Sequence, residues 1–223
     1  MSDIAERARD IWERLNDASG KYGGVELCAV TKTVDAERIN QVWDAGVRTI
    51  GENRVQELMD KLPAIRNDYK IHIIGQLQTN KVKYIADKAD MIQSLDRMSL
   101  AEEISRRCIL RPMPVLVEVN IGNEPQKGGV PEAELLTFVK EVSRLPGLTV
   151  SGLMTVAPAA EDPEDVRPCF RRMRGWFERL RDMDIPNVKM ETLSMGMSGD
   201  CLVACQEGAT MVRVGSAIFG HRA

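Results

Sequence analysis

Apolar positions along this chain follow two alternating rhythms, one of period near 3.6 and one of short unbroken runs. The first helical stripe falls at Ile4, Ala8, Ile11, Trp12 and Leu15 and predicts an amphipathic opening helix. Residues 25–33 (VELCAVTKT) follow Gly23-Gly24 as a β-branched, apolar run and predict a buried strand that surfaces at Lys32. Asp35 then suits the cap of a helix carrying Ile39, Val42 and Trp43, and Gly46 suits its left-handed end. Residues 47–51 (VRTIG) read as a second strand and residues 52–62 as a second such helix, with Val55, Leu58, Met59 and Leu62 on one face. The unit recurs, with strands expected at 71–75, 91–94, 114–120, 148–154, 189–193 and 210–215. The helix after the sixth strand, with Phe170, Met173, Phe177 and Leu180 on its buried side, is expected to be the longest. Eight strands alternating with helices predict a single (β/α)8 TIM barrel with an extra N-terminal helix, one domain over residues 1–223. An open doubly wound sheet is the competing layout, which periodicity alone leaves standing.

Composition narrows the class without changing that picture. With 43% hydrophobic and 28% charged residues and a net charge of -3, the chain reads as a soluble globular protein with no nucleic-acid or membrane partner. Its N-terminus alternates acids and bases, and no apolar run is long enough to span a bilayer, so a cytoplasmic location is expected. Five scattered cysteines (Cys28, Cys108, Cys169, Cys201, Cys205) describe neither a disulfide framework nor a zinc knuckle, and they are expected to be buried apolar residues. With two histidines, His72 and His221, no metal site is expected. The arginines at 171, 172, 174, 179 and 181 read as the solvated face of a helix.

The candidate chemistry collects where strands stop, because a barrel of this kind builds its site at the C-terminal ends of its strands. Strand one ends at Lys32, strand two at Gly51-Glu52-Asn53, strand three at His72 and Gly75, strand six at Met154, strand seven at Ser194 to Ser198, and strand eight at Arg213 to Ser216. SMGMSGD and RVGSAIFG place Ser198, Gly215 and Ser216 just before helix starts, where free N–H groups and hydroxyls suit a phosphate. Either loop alone reads equally as ordinary capping, and Lys32 alone as a strand end reaching solvent. Together, a lysine, a phosphate cradle and an inward arginine suggest pyridoxal 5'-phosphate (PLP), with Lys32 as imine partner and Arg213 toward the ring nitrogen. The alternative for Arg213 is a buried structural ion pair.

At AVTKT, GENRVQE, HIIGQLQTNK, VNIGNEPQKGG, GLMT, SMGMSGD and VRVGSAIFG the chain resembles the pyridoxal phosphate homeostasis proteins (the YggS/PROSC type), which look like the barrel domain of alanine racemase standing alone. The resemblance covers nearly the whole chain. It implies a fold-type-III cofactor site in which Lys32 carries PLP as an internal aldimine and Ser198, Gly215 and Ser216 hold its phosphate. Asn53, His72 and Met154 are implied to line the ring pocket, and Ser194 joins the cofactor-binding set. The chain departs from the family pattern at Val34, Arg54 and Ile71, where a lysine, a tyrosine and a tryptophan are usual. Lys127 matches a position linked in the family to cofactor handling through a flexible loop; its other reading is a plain surface lysine.

Two functions compete. A carrier would hold PLP, mask its aldehyde and pass it by transient contact to PLP-dependent apoenzymes without significant catalysis. A small amino-acid racemase would need acid/base groups on both faces of its substrate, and Tyr22, Tyr69 and Tyr84 are not at predicted strand ends. The chain ends soon after strand eight, without the second domain that supplies that tyrosine in racemases, so a monomeric carrier is the expectation. A lysine aldolase without bound cofactor would use the same Lys32 but leaves Arg213 without a role.

Overall fold

The alternation closes into a ring in the computed structural model, which describes residues 2–220; His221 lies outside the described residues. The strands are β1 (Glu26–Val30), β2 (Thr49–Glu52), β3 (Lys70–Ile73), β4 (Met91–Leu95), β5 (Met113–Asn120), β6 (Leu148–Met154), β7 (Val188–Ser194) and β8 (Met211–Val214). All neighbours pair in parallel; β8 returns to β1 with Cys28 opposite Arg213, and β4 meets β5 at Ile92 and Val115. That last pairing excludes the open sheet. A two-residue strand, Val130–Pro131, adds to β5 outside the ring.

Around the ring lie α1 (Asp3–Ser19), α2 (Ala36–Gln41), α3 (Val55–Lys61), α4 (Val82–Ile85), α5 (Met98–Arg107), α6 (Leu135–Val142), α7 (Arg167–Arg181), α8 (Cys201–Gln206) and α9 (Ser216–Phe219). Local chemistry explains their ends. The Ser2 hydroxyl accepts from Ala5 N at the start of α1, and the Asp35 carboxylate accepts from Arg38 N (2.9 Å) at the start of α2. Gly46, at φ +88°, ends the turn after α2, and a side chain there would meet Trp12 at 2.8 Å. Three expectations are corrected. The first strand stops at Val30 and Lys32 lies in the turn beyond it. The helix expected from residue 52 starts at Val55, because Glu52 still pairs in β2. The longest helix is α1 with 17 residues against 15 in α7.

Apolar packing between the helices and the sheet holds the ring. Fully buried Ile39, Leu58, Ile104, Val139 and Phe170 lock helices to the outside of the sheet, each worth about 1.5–3 kcal/mol of transfer free energy. α1 packs beside α8 and α9, where Arg7 Nε donates to Ile218 O (2.7 Å) and Trp12 Nε1 to Val25 O (2.9 Å). Gly152 in β6 permits the closest approach: a Cβ there would lie 1.7 Å from Thr192 O. Cys28, Cys108, Cys201 and Cys205 are buried, as expected, while Cys169 is half-buried, and all five are free thiols. Of the α7 arginines, Arg171, Arg172, Arg179 and Arg181 are exposed, as expected of a solvated face, although Arg172 also donates to Ile121 O; Arg174 is half-buried, stacks on Tyr22 and bonds Gly208 O.

Candidate functional site

The C-terminal ends of β1, β7 and β8 frame a cleft of about 750 Å³ lined by Lys32, Ser198, Arg213, Gly215 and Ser216, with Val30 and Val34 as apolar wall. Five of the residues predicted from sequence therefore meet in one place. Lys32 is half-buried in a turn in which Val34 N donates to Thr31 O (3.0 Å). The Ser198 hydroxyl accepts from Gly215 N (3.4 Å), tying the two loops of the expected phosphate cradle together. The first N–H groups of α9 begin at Ser216, where no intrahelical acceptor exists.

Arg213 enters this cleft from inside the barrel. It is 4% exposed, and its guanidinium donates to Ser194 Oγ (2.7 Å) and Thr155 O (2.8 Å). Both acceptors are neutral, and no ion pair within 4.0 Å involves it among the described residues, so the structural ion pair anticipated as the alternative is absent. Burial lowers its pKa from the usual arginine range, against the pull of Cys28, Glu118 and Asp200. The network continues across the barrel lumen: Ser194 Oγ donates to Gln93 Oε1 (2.7 Å), and Gln93 Nε2 donates to His72 Nδ1 (2.9 Å). His72 is thus a neutral imidazole carrying its proton on Nε2; burial pushes its pKa down to about 4.

His72 and Ser194 belong to the site through this chain of bonds rather than by lining the cleft. Met154 is 1% exposed at the end of β6, opposite Glu118 and Ser194 in register, and is a core residue that does not line the cleft. Asn53 faces a neighbouring groove of about 500 Å³ with Arg54, Gln76, Lys81 and Arg97. Ile71 alternates with inward His72 and so faces the helices, which leaves Val34 as the departure from the family pattern that borders the cleft. Lys127 is neither plainly solvated nor loosely held: its Nζ donates to Ala157 O (3.0 Å) and pairs with Glu124 (2.5 Å). Near it Glu118 is pushed up to about 7, first by burial and then by Asp96, with Arg213 opposing.

Sequence reading missed Gln93 and Thr155. The signal for Gln93 was a polar residue at an inward position in MIQSL; the Thr155 carbonyl leaves no sequence signal. A buried cluster beneath Lys32 was missed as well. Thr31 Oγ1 donates to Glu52 Oε1 (2.7 Å), and Lys61 Nζ donates to Thr31 O (2.7 Å), Glu52 Oε1 (2.9 Å) and Glu57 Oε1 (2.5 Å).

A parallel eight-stranded ring with a lysine after β1 and an unneutralised arginine on β8 is the barrel of the alanine racemase N-terminal-domain class, and a family model of that domain matches residues 6–223. A pyridoxal phosphate homeostasis protein of Aquifex aeolicus is 44% identical over 99% of each chain. An unknown protein from Bifidobacterium adolescentis superposes with a TM-score of 0.91 at 35% identity, covering 97% of this chain and 94% of its own. PipY of Synechococcus elongatus, solved with PLP bound, gives a TM-score of 0.85 at 33% identity over 97% of this chain and 100% of its own. The chain belongs to the pyridoxal phosphate homeostasis protein family. No helix among the described residues is long and apolar enough to cross a membrane.

Proposed function

We propose that this protein binds PLP through Lys32 and serves intracellular PLP homeostasis, holding the cofactor and supplying it to apoenzymes without significant catalysis, as a monomeric unit of residues 1–223. The observation that carries the reading is Arg213, a buried cation with only neutral partners, facing the cleft that holds Lys32 and the Ser198–Gly215 cradle. The residues present fit the cofactor's three polar features: an amine for its aldehyde, N–H groups and hydroxyls for its phosphate, and a fixed donor for its ring nitrogen. When bound, PLP supplies an aldehyde toward amines and an electron sink whose strength depends on protonation of that nitrogen.

The chain's own groups favour holding over turnover. Arg213 is a permanently charged donor and opposes protonation of a basic nitrogen brought beside it, which weakens the sink. A racemase also needs a second acid/base group. Tyr69 lies just before β3 with its hydroxyl bonded to Ile39 O, Tyr22 precedes β1, and Tyr84 is exposed on α4, so none of them lines the cleft. Ser198, Gly215 and Ser216 orient the phosphate, and Lys32 is left as the reactive amine.

The test is the visible spectrum of the purified protein with PLP, before and after borohydride, beside Lys32→Ala. The expected result is a visible band that borohydride fixes to a Lys32 peptide and that Lys32→Ala lacks. A protein that stays colourless with PLP overturns the cofactor assignment, and sustained turnover of amino acids at an ordinary enzymatic rate overturns the carrier.

A further inference from the structure

Lys32 sits between two residues that are both held by the same cluster. On its N-terminal side Thr31 is fully buried; its hydroxyl donates to Glu52 Oε1 (2.7 Å) and its carbonyl accepts from Lys61 Nζ (2.7 Å). On its C-terminal side the Thr33 N–H donates to Glu57 Oε1. Lys61 joins the two supports, bonding Glu52 (2.9 Å) and Glu57 (2.5 Å) from the last turn of α3. The turn needs support, because Thr33 has φ +63°, a left-handed conformation that opposes a β-branched residue by roughly 1–2 kcal/mol. The cluster also holds an unmet demand: Glu52 Oε2 is buried without a hydrogen-bond partner. An orphaned polar atom of this kind is kept where the surrounding geometry over-determines it. No member of the cluster lines the cleft, so none of them touches a ligand bound there.

We propose that Glu52, Glu57 and Lys61 are positioning residues, a clamp under the Thr31–Lys32–Thr33 turn that presets the Lys32 amine to capture the aldehyde of its phosphate-bearing ligand. In that capture a C=N bond forms as the carbonyl oxygen leaves as water with the two protons of the neutral amine. The inference rests on the reading of Lys32 as the PLP amine. Lys61 is the keystone, since its ammonium alone touches the Thr31 backbone and both carboxylates. A lysine side chain has four rotatable bonds, so the direction of its amine depends on how firmly its backbone is fixed. Glu57 gives the cleanest handle, because its side chain is 23% exposed and the N–H it accepts belongs to the strained residue.

Glu57→Ala removes the support of Thr33, whereas Glu57→Gln keeps an oxygen that accepts the same N–H. The clamp predicts that Glu57→Ala captures PLP about tenfold more slowly in stopped-flow absorbance, while Glu57→Gln stays within about threefold of the parent. Hydrogen exchange of the Thr33 amide in the ligand-free protein is expected to quicken in Glu57→Ala and not in Glu57→Gln. Unchanged capture and unchanged exchange in Glu57→Ala would overturn the proposal, as would equal losses in the two variants. Lys61→Met extends the test where it folds, with the larger loss expected. If the parent protein does not capture PLP at all, the proposed function fails, and the exchange comparison still decides whether the clamp exists.

Discussion

Two cations are buried near the C-terminal end of this barrel, and they are handled in opposite ways. Lys61 lies outside the sheet, 13% exposed, with a carboxylate on either side. Arg213 lies in the lumen, 4% exposed, with a hydroxyl and a carbonyl as its partners. Desolvating either charge costs several kcal/mol; at Lys61 it is offset by two carboxylates in direct contact, whereas at Arg213 Glu118 and Asp200 attract without an ion pair within 4.0 Å among the described residues. The lysine is thereby committed to the architecture, whereas the arginine keeps an electrostatic demand directed at the cleft. The carboxylates around Lys61 reflect their settings. Burial raises the pKa of Glu52 above the usual carboxylate range against the pull of Thr31 and Lys61. At Glu57, whose side chain is 23% exposed against 1% for Glu52, burial also raises but is outweighed by bonds from Lys61 and the Thr33 N–H, so its pKa is lowered.

The sharpest way to break this comparison is to remove each cation in turn. Lys61→Met strands a buried carboxylate and leaves the Thr31 carbonyl with Val34 N as its remaining donor, so a loss of about 3–5 kcal/mol in urea unfolding is expected. A loss below about 1 kcal/mol would mean that Lys61 is not the neutralising partner the geometry describes.

The lumen side makes a prediction of similar size at acid pH. His72 stays neutral in the fold because Gln93 donates to its Nδ1 and burial lowers its pKa from 6.5 to about 4. The unfolded chain takes up that proton first, so the stability linked to His72 is present above pH 6.5 and is lost as pH falls toward 4. The full linkage is worth roughly 3 kcal/mol. Urea midpoints for the parent and His72→Gln at about pH 7 and about pH 5 isolate the term, since carboxylate titration is common to both. Equal slopes in the two proteins would show that His72 protonates without opposing the fold.

How much of this was legible beforehand follows the same division. The eight strands were readable because each is a short segment rich in apolar and β-branched residues, although β4 and β7 carry polar residues within the run. Lys32, Ser198, Arg213, Gly215 and Ser216 were readable because strand ends in a barrel converge. Met154 and Asn53 do not line that cleft: Met154 is buried in register with Glu118 and Ser194, and Asn53, just past β2, lines the neighbouring groove. One step along a strand reverses the side chain, so His72 enters the lumen while Ile71 packs outward. The clamp was the least legible part. Glu52, Glu57 and Lys61 read as polar residues of an amphipathic helix, and only the bend of the chain after β1 brings them under Lys32.

Removing the other cation is expected to have a smaller effect on stability. Arg213→Met leaves the Thr155 carbonyl and one lone pair of Ser194 unsatisfied, a loss of about 1–3 kcal/mol. It also ends the burial of an unneutralised guanidinium, a gain of comparable size. The two nearly cancel, so urea stability should stay within about 1.5 kcal/mol of the parent. PLP affinity should fall more than about tenfold in the same variant. A protein that lost as much stability as Lys61→Met would show that Arg213 is architectural, and the contrast between the two cations would collapse.

Thr33→Gly is the finest probe, because it loosens the clamp without touching a charge. Glycine relieves the left-handed strain at φ +63° by about 1–2 kcal/mol, while its greater freedom in the unfolded chain takes back about 0.5–1 kcal/mol. The net change in stability should lie between none and a gain of about 1.5 kcal/mol. The N–H that Glu57 accepts is kept, but the backbone around Lys32 is free to leave the turn when that bond opens. Stability and capture should then move apart, with an unfolding midpoint at or above that of the parent and slower uptake of PLP. If both rise together, the strain at Thr33 opposes the ligand-ready turn, and holding Lys32 in place is no part of what the Lys61 side of the molecule does.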